Sequence, residues 1–118
     1  MTNRELLELA ALAAGYEYTW TQRLAATAHG VVSSPIIVID GNYWNPLEDD
    51  GDCAQLETKC EMLVSVDKDC ARAGSYINGY GIECSEQYAN HDGDRNKARR
   101  FASVRCAAEL GRRVKEQQ

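Results

Sequence analysis

The apolar positions at the start of the chain recur at helical spacing. Leu6, Leu9, Ala10 and Ala13 fall on one stripe, as an amphipathic helix with one face on a core requires. Thr2-Asn3-Arg4-Glu5 reads as a capping box, the Thr2 hydroxyl taking the Glu5 N–H and the Glu5 carboxylate reaching back. Alanines suit the helix and Gly15 ends it, which predicts a helix over residues 3–14. Residues 16–21 then alternate aromatic and polar, the period of two that marks a half-buried strand. The stretch 23–35 fits either a loop or a continuation of that strand around Gly30. Residues 36–39 are a β-branched run that ends at Asp40-Gly41, a hairpin signal. Tyr43 and Trp44 then open a returning segment.

Further along, residues 53–62 predict a second helix and 62–66 a strand, closed by a polar turn at Asp67-Lys68-Asp69. Residues 76–84 predict a strand pair or a bent strand, with Gly79 and Gly81 marking a turn or bulge. A last helix over 94–115 carries Phe101, Val104, Ala108, Gly111 and Val114 as its apolar stripe. Arg112, Arg113 and Lys115 lie near its end, where the helix dipole favours cations. The order α-β-β-α-β-β-α predicts one α+β domain over residues 1–118. Its expected architecture is an antiparallel sheet of about four strands covered by two to three helices.

Length supports one domain: 118 residues match the usual ~100–150. The longest apolar run spans about five residues, far below the ~20 of a membrane helix. The opening MTNRELLELA holds acids where a secretory leader needs an unbroken apolar core. The cytoplasm is the expected compartment. Cys53, Cys60, Cys70, Cys84 and Cys106 are odd in number and show no close pair of the zinc-binding kind. They are expected to be reduced thiols filling small apolar gaps.

Charge divides the chain. Residues 40–69 hold nine acids against two lysines, net −7, whereas residues 95–118 carry net +6. Such asymmetry bears on partners rather than on fold. The densest acids lie in WNPLEDDGD, residues 44–52. A calcium loop needs Gly at position 6, and counting from Asp49 or Asp50 puts Gly51 at position 3 or 2. A looser Mg²⁺ site at Asp49, Asp50 and Asp52 stays open, with no glycine-rich phosphate loop beside it. His29 and His91 have no nucleophile next to them in sequence. The capping account is more economical. Asn-Pro holds the chain extended, and acids then gather at the N–H groups that open a helix. DGD recurs at residues 92–94, again before a helix.

The segment YWNPLEDDGDCAQL resembles the signature of the phage ABA-sandwich domain family, in which W-N-P-L-x-D-D-G-D-A-x-x-L is typical. Trp44, Asn45, Pro46, Leu47, Asp49, Asp50, Gly51, Asp52 and Leu56 fit it, and Cys53 stands in place of the alanine. The stretches TNRELLELAALAAGY and ARRFASVRCAAELGR are similar to the family's terminal helices, while residues 22–38 and 67–90 are not covered. The resemblance implies a helix–sheet–helix sandwich and a phage or prophage origin, and it carries over no catalytic residue and no cofactor.

Together these readings lead to the expectation of a non-enzymatic accessory protein in the host cytoplasm. It would bind and inhibit a host protein or complex such as a CRISPR–Cas effector, with self-association open. Its expected partner-binding face is acidic (Asp40, Glu48, Asp49, Asp50, Asp52, Glu57 and Glu61), with Tyr43 and Trp44 as aromatic anchors. Such a face can imitate a nucleic-acid backbone. Two alternatives accompany it. One is a nucleic-acid-binding module using Arg99, Arg100, Arg112 and Arg113, which would be steeply salt-dependent. The other is a small Mg²⁺-dependent nucleotide-binding protein.

Overall fold

A computed structural model describes residues 1–77 and 80–117, without the side chains of residues 77 and 80. Helix α1 spans Asn3–Ala14, with the Thr2 side chain accepting from the Glu5 N–H and Gly15 turning into the left-handed region at φ 76°. Strands β1 (Thr19–Thr27), β2 (Gly30–Ile39) and β3 (Asn42–Trp44) form an antiparallel sheet in that order. Helix α2 spans Asp50–Lys59. Strands β4 (Leu63–Val66), β5 (Cys70–Ile77) and β6 (Tyr80–Gln87) form a second antiparallel sheet. A short 3₁₀ turn, Tyr88–His91, leads into helix α3, Arg95–Glu116. Among the described residues no helix is long and apolar enough to cross a membrane.

The α+β class holds, but one sheet of about four strands is corrected to two sheets of three. Several expected boundaries also move. The first strand starts at Thr19 and runs on to Thr27, because residues 23–35 take the strand continuation and form a long hairpin. Helix α2 starts three residues earlier than expected, at Asp50. The expected strand pair around residues 76–84 is β5 and β6, and the Gly79 turn lies outside the described residues.

The helix–sheet–helix layering is also corrected. One face of the β4–β6 sheet packs on α3, α3 packs on α1, and Glu8 of α1 holds Tyr18 and Trp20 at the start of β1. Burial alternates along the strands: Ala71, Ala73 and Ser75 are buried, while Arg72 and Tyr76 are exposed. That is the signature of an antiparallel sheet with one face solvated, and among the described residues no second helical layer covers that face.

Helix α3 is buried on more than one side, which a single stripe could not express. Ala98, Ala102, Val104, Cys106 and Ala107 are all fully enclosed, whereas Val114 is 40% exposed. Small residues let α1 come close: Ala10, Ala11, Ala107 and Ala108 are essentially inaccessible. At Gly111 the approach is closest, since a Cβ there would lie 1.9 Å from the Leu9 carbonyl oxygen. On its other side α1 presents Glu8, whose carboxylate accepts from Tyr18 Oη at 3.2 Å and Trp20 Nε1 at 3.1 Å. The Arg4 guanidinium covers the Trp20 ring at 4.4 Å, an attractive cation–π arrangement. Buried Ser75 donates to the Cys60 carbonyl at 2.8 Å, tying β5 to the end of α2.

The outer part of the β1–β2 hairpin stands away from this body. Leu24, Val31 and Val32 are 69%, 70% and 52% exposed. The radius of gyration is 14.8 Å, above the ~13.5 Å of a compact chain of this length.

Gly111→Ala tests the helix crossing. Helix propensity alone would favour alanine by ~1 kcal/mol. Overpacking against the Leu9 carbonyl is expected to outweigh this and destabilise the fold by ~1–3 kcal/mol or more. Urea unfolding should show the lower midpoint; an unchanged or higher midpoint would refute the close approach.

Candidate functional site

WNPLEDDGD folds as a loop wired to itself. Asp40 and Gly41 carry φ values of 51° and 79°, and Ile39 pairs with Asn42 across them. This is the two-residue hairpin turn whose twist matches its strands. Trp44 then returns opposite Ile37 and is buried, with 4% of its surface accessible. Asn45 Oδ1 accepts from the Leu47 N–H at 3.1 Å, and its carbonyl accepts from Glu48 and Asp49 at 3.1 and 2.9 Å. Pro46 and Leu47 are buried, which seats the turn in the core.

The aspartates divide the remaining work. Asp49 is the N-cap of α2, its Oδ1 accepting from the Asp52 N–H at 2.8 Å. Asp52 reaches back to the Asn45 N–H at 2.9 Å. Burial raises the Asp52 pKa, opposed by that hydrogen bond and reinforced by the Asp49 charge. The second DGD works differently: Asp92 and Gly93 take positive φ, and Asp94 caps α3 by accepting from the Lys97 N–H. Capping is thus common to both, but the capping residue precedes DGD in one and ends it in the other.

The two charged halves of the chain meet. Arg100 donates from Nε to the Leu47 carbonyl at 2.8 Å and forms an ion pair with Asp50 at 2.7 Å. Arg99 pairs with Glu57 at 2.6 Å. The same carboxylate accepts from Ser103 Oγ at 2.6 Å. Arg112 pairs with Glu109 and Glu116, and Arg113 with Glu109. All four arginines of the expected basic face thus have carboxylate partners in the chain.

The expected acidic face is dispersed in the same way. Asp50 and Glu57 are neutralised by α3, while Asp49 and Asp52 accept backbone N–H groups. Glu48 stands 3.8 Å from Arg23. Asp40 and Glu61 are exposed, each at positive φ. Of the two aromatics, Tyr43 is 55% exposed and Trp44 belongs to the core.

Sequence order concealed a cleft of about 250 Å³ beside this loop, lined by Tyr16, Asp40, Tyr43, Trp44, Asp52 and Gln55 among others. The Tyr16 and Trp44 rings meet edge to face, with centroids 5.8 Å apart. The Tyr16 pKa is raised by burial and then by the charges of Cys60, Asp52 and Asp40. The Trp44 Nε1–H has no hydrogen-bond partner.

Other reactive groups are occupied or enclosed. His91 Nε2 lies 2.8 Å from Glu86 Oε1, and its ring packs on Phe101. Arg105 also pairs with Glu86. The histidine and glutamate are 8% and 16% exposed, and no motif in the sequence announced this cluster. Among the described residues no three His, Cys, Asp or Glu side chains gather as metal ligands. Burial pushes the thiol pKa values of Cys53, Cys60 and Cys106 to about 12, 11 and 12. Such thiols carry almost no thiolate at neutral pH.

No family model, no curated protein and no solved structure matches this chain.

Two outcomes follow from these environments. An acid whose folded pKa is raised gains stability when protonated, and that contribution is lost as pH rises through the folded value. Asp52→Asn, which retains an acceptor for the Asn45 N–H, should therefore match or exceed the native melting temperature at neutral pH. Its advantage should vanish below the ordinary aspartate value of 3.8; a lower melting temperature at neutral pH would contradict this. Reaction with a disulfide reagent should be slow in the native protein and complete at all five thiols only in denaturant. Fast native labelling of Cys53, Cys60 or Cys106 would count against their enclosure.

Proposed function

We propose that the protein is a partner-binding accessory protein of phage or prophage origin that inhibits a host defence component, such as a CRISPR–Cas effector, without catalysing a reaction itself. The observation that carries the binding role is the set of large apolar side chains left in solvent. Leu63 and Tyr76 are 85% and 75% exposed on the uncovered face of the β4–β6 sheet. Leu24, Val31 and Val32 add a second exposed group on the projecting hairpin. Grouped apolar exposure is a mark of interaction surfaces, and aromatic anchors dominate their energetics. The phage setting comes from the resemblance carried by residues 44–56.

The pairing of the acids changes the form of this reading. A phosphate-imitating stripe is reduced to Asp40 and Glu61 once the internally bound carboxylates, Glu48 beside Arg23 included, are set aside. Docking through side-chain contacts is therefore favoured over imitation of a nucleic-acid backbone. The same bookkeeping disfavours the nucleic-acid-binding alternative, since its four arginines are already compensated. Nucleotide binding through Mg²⁺ loses its triad, because Asp49, Asp50 and Asp52 each serve a different partner.

The test is capture of purified CRISPR–Cas effector complexes on the immobilised protein, coupled to an assay of target cleavage. Retention of an effector is expected together with reduced cleavage, and competing duplex DNA should displace it little. Effectors that neither bind nor lose activity would sink the defence-inhibitor reading.

A further inference from the structure

The cleft beside β3 brings an aromatic corner and two aspartates to one place. Tyr16 and Trp44 stand at 81° to one another and make a corner of two rings. Tyr43 extends this aromatic wall, and Asp40 and Asp52 supply negative charge. Among the described residues neither aspartate has an ion-pair partner. Lys59 lies 5.9 Å from the Tyr16 ring centroid and does not pair with them.

Size and chemistry select the occupant. The volume of about 250 Å³ falls below the ~300–1,000 Å³ of sites for drug-sized ligands and suits a single side chain. Ring faces are electronegative and attract organic cations, and two carboxylates strengthen the attraction. A bare divalent ion is a poor match, since Ca²⁺ takes 6–8 oxygens and Mg²⁺ demands an octahedron. A guanidinium fits better than an ammonium because it is planar, stacks on rings and meets carboxylates bidentately.

We infer that this cleft receives an arginine side chain of a partner protein. The inference rests on the reading of the chain as a partner-binding protein and names the chemistry of one contact. Asp40 holds the guanidinium together with Oδ1 of Asp52, whose Oδ2 stays on the Asn45 N–H, and the aromatic corner packs against its face.

The experiment is a titration of ¹⁵N-labelled protein with N-acetyl-arginine methylamide, and in parallel with the lysine and citrulline counterparts. The arginine compound is expected to shift the amides of residues 39–44 and 52–55 saturably, with the lysine compound weaker and neutral citrulline inert. Asp40→Asn keeps a side chain tolerated at positive φ and should weaken arginine binding about threefold to fivefold, the size of one partly screened ion pair. Equal shifts with arginine and citrulline, absence of saturation, or unchanged binding by Asp40→Asn would each overturn the assignment. If arginine fails but an effector is still captured, the cleft assignment falls and the defence-inhibitor reading stands. If arginine binds and no effector is captured, that reading falls and the cleft assignment stands.

Discussion

The meeting of α1 and α3 at Gly111 is the constraint from which the other layers take their places. With the Leu9 carbonyl 1.9 Å from where a Cβ would sit, the two backbones are nearly in contact. Side chains in this seam are alanines, so dispersion between close-packed backbones replaces the interlocking of long side chains. Close helices leave their outer flanks free for other work. The flank of α3 receives the β4–β6 sheet, and the flank of α1 receives Tyr18 and Trp20 through Glu8. A bulkier seam would push both sheets outward and part the aromatic pair of Tyr16 and Trp44, which depends on the exit of α1.

The charge asymmetry of the sequence is resolved by this arrangement. Acids of residues 40–69 and bases of residues 95–118 look like two opposed surfaces when read linearly. Folding brings α3 against α2, and Arg99 and Arg100 bind Glu57, Asp50 and the Leu47 carbonyl. Ion pairs of this kind, partly shielded from water, contribute more to fixing an arrangement than exposed pairs do. Asp40 and Asp52 at the cleft beside β3 are among the charges left without an ion pair among the described residues.

Much of the local structure was legible because its causes are local. Thr2 and Gly15 bound α1, Asp40-Gly41 makes its hairpin, and Asp94 caps α3, all as the residue types dictate. The long β1–β2 hairpin was ambiguous because its outer half buries nothing, which leaves Leu24, Ala25, Ala26, Val31 and Val32 without the alternation that burial imposes. The number of sheets was not legible, since strand periodicity reports which face is buried and not which strands pair. Gly111 looked like part of an ordinary stripe; its significance lies in Leu9, far away in sequence. Of the cleft, Asp40, Tyr43, Trp44, Asp52 and Gln55 were legible as neighbours along one segment, whereas Tyr16 arrives from beyond the end of α1.

The place of α3 has a bearing on how the protein comes into being. It is the last of these elements to leave the ribosome, yet it is the one that touches α1, α2 and the β4–β6 sheet. Until residues 95–116 emerge, the earlier elements are short hairpin-built sheets and two helices of twelve and ten residues, and such pieces are marginal in water. Domains generally fold as units during synthesis. Before α3 the packing layer between α1 and the β4–β6 sheet is missing, so translation interrupted there yields a segment with apolar faces bare and open to chaperones and proteases.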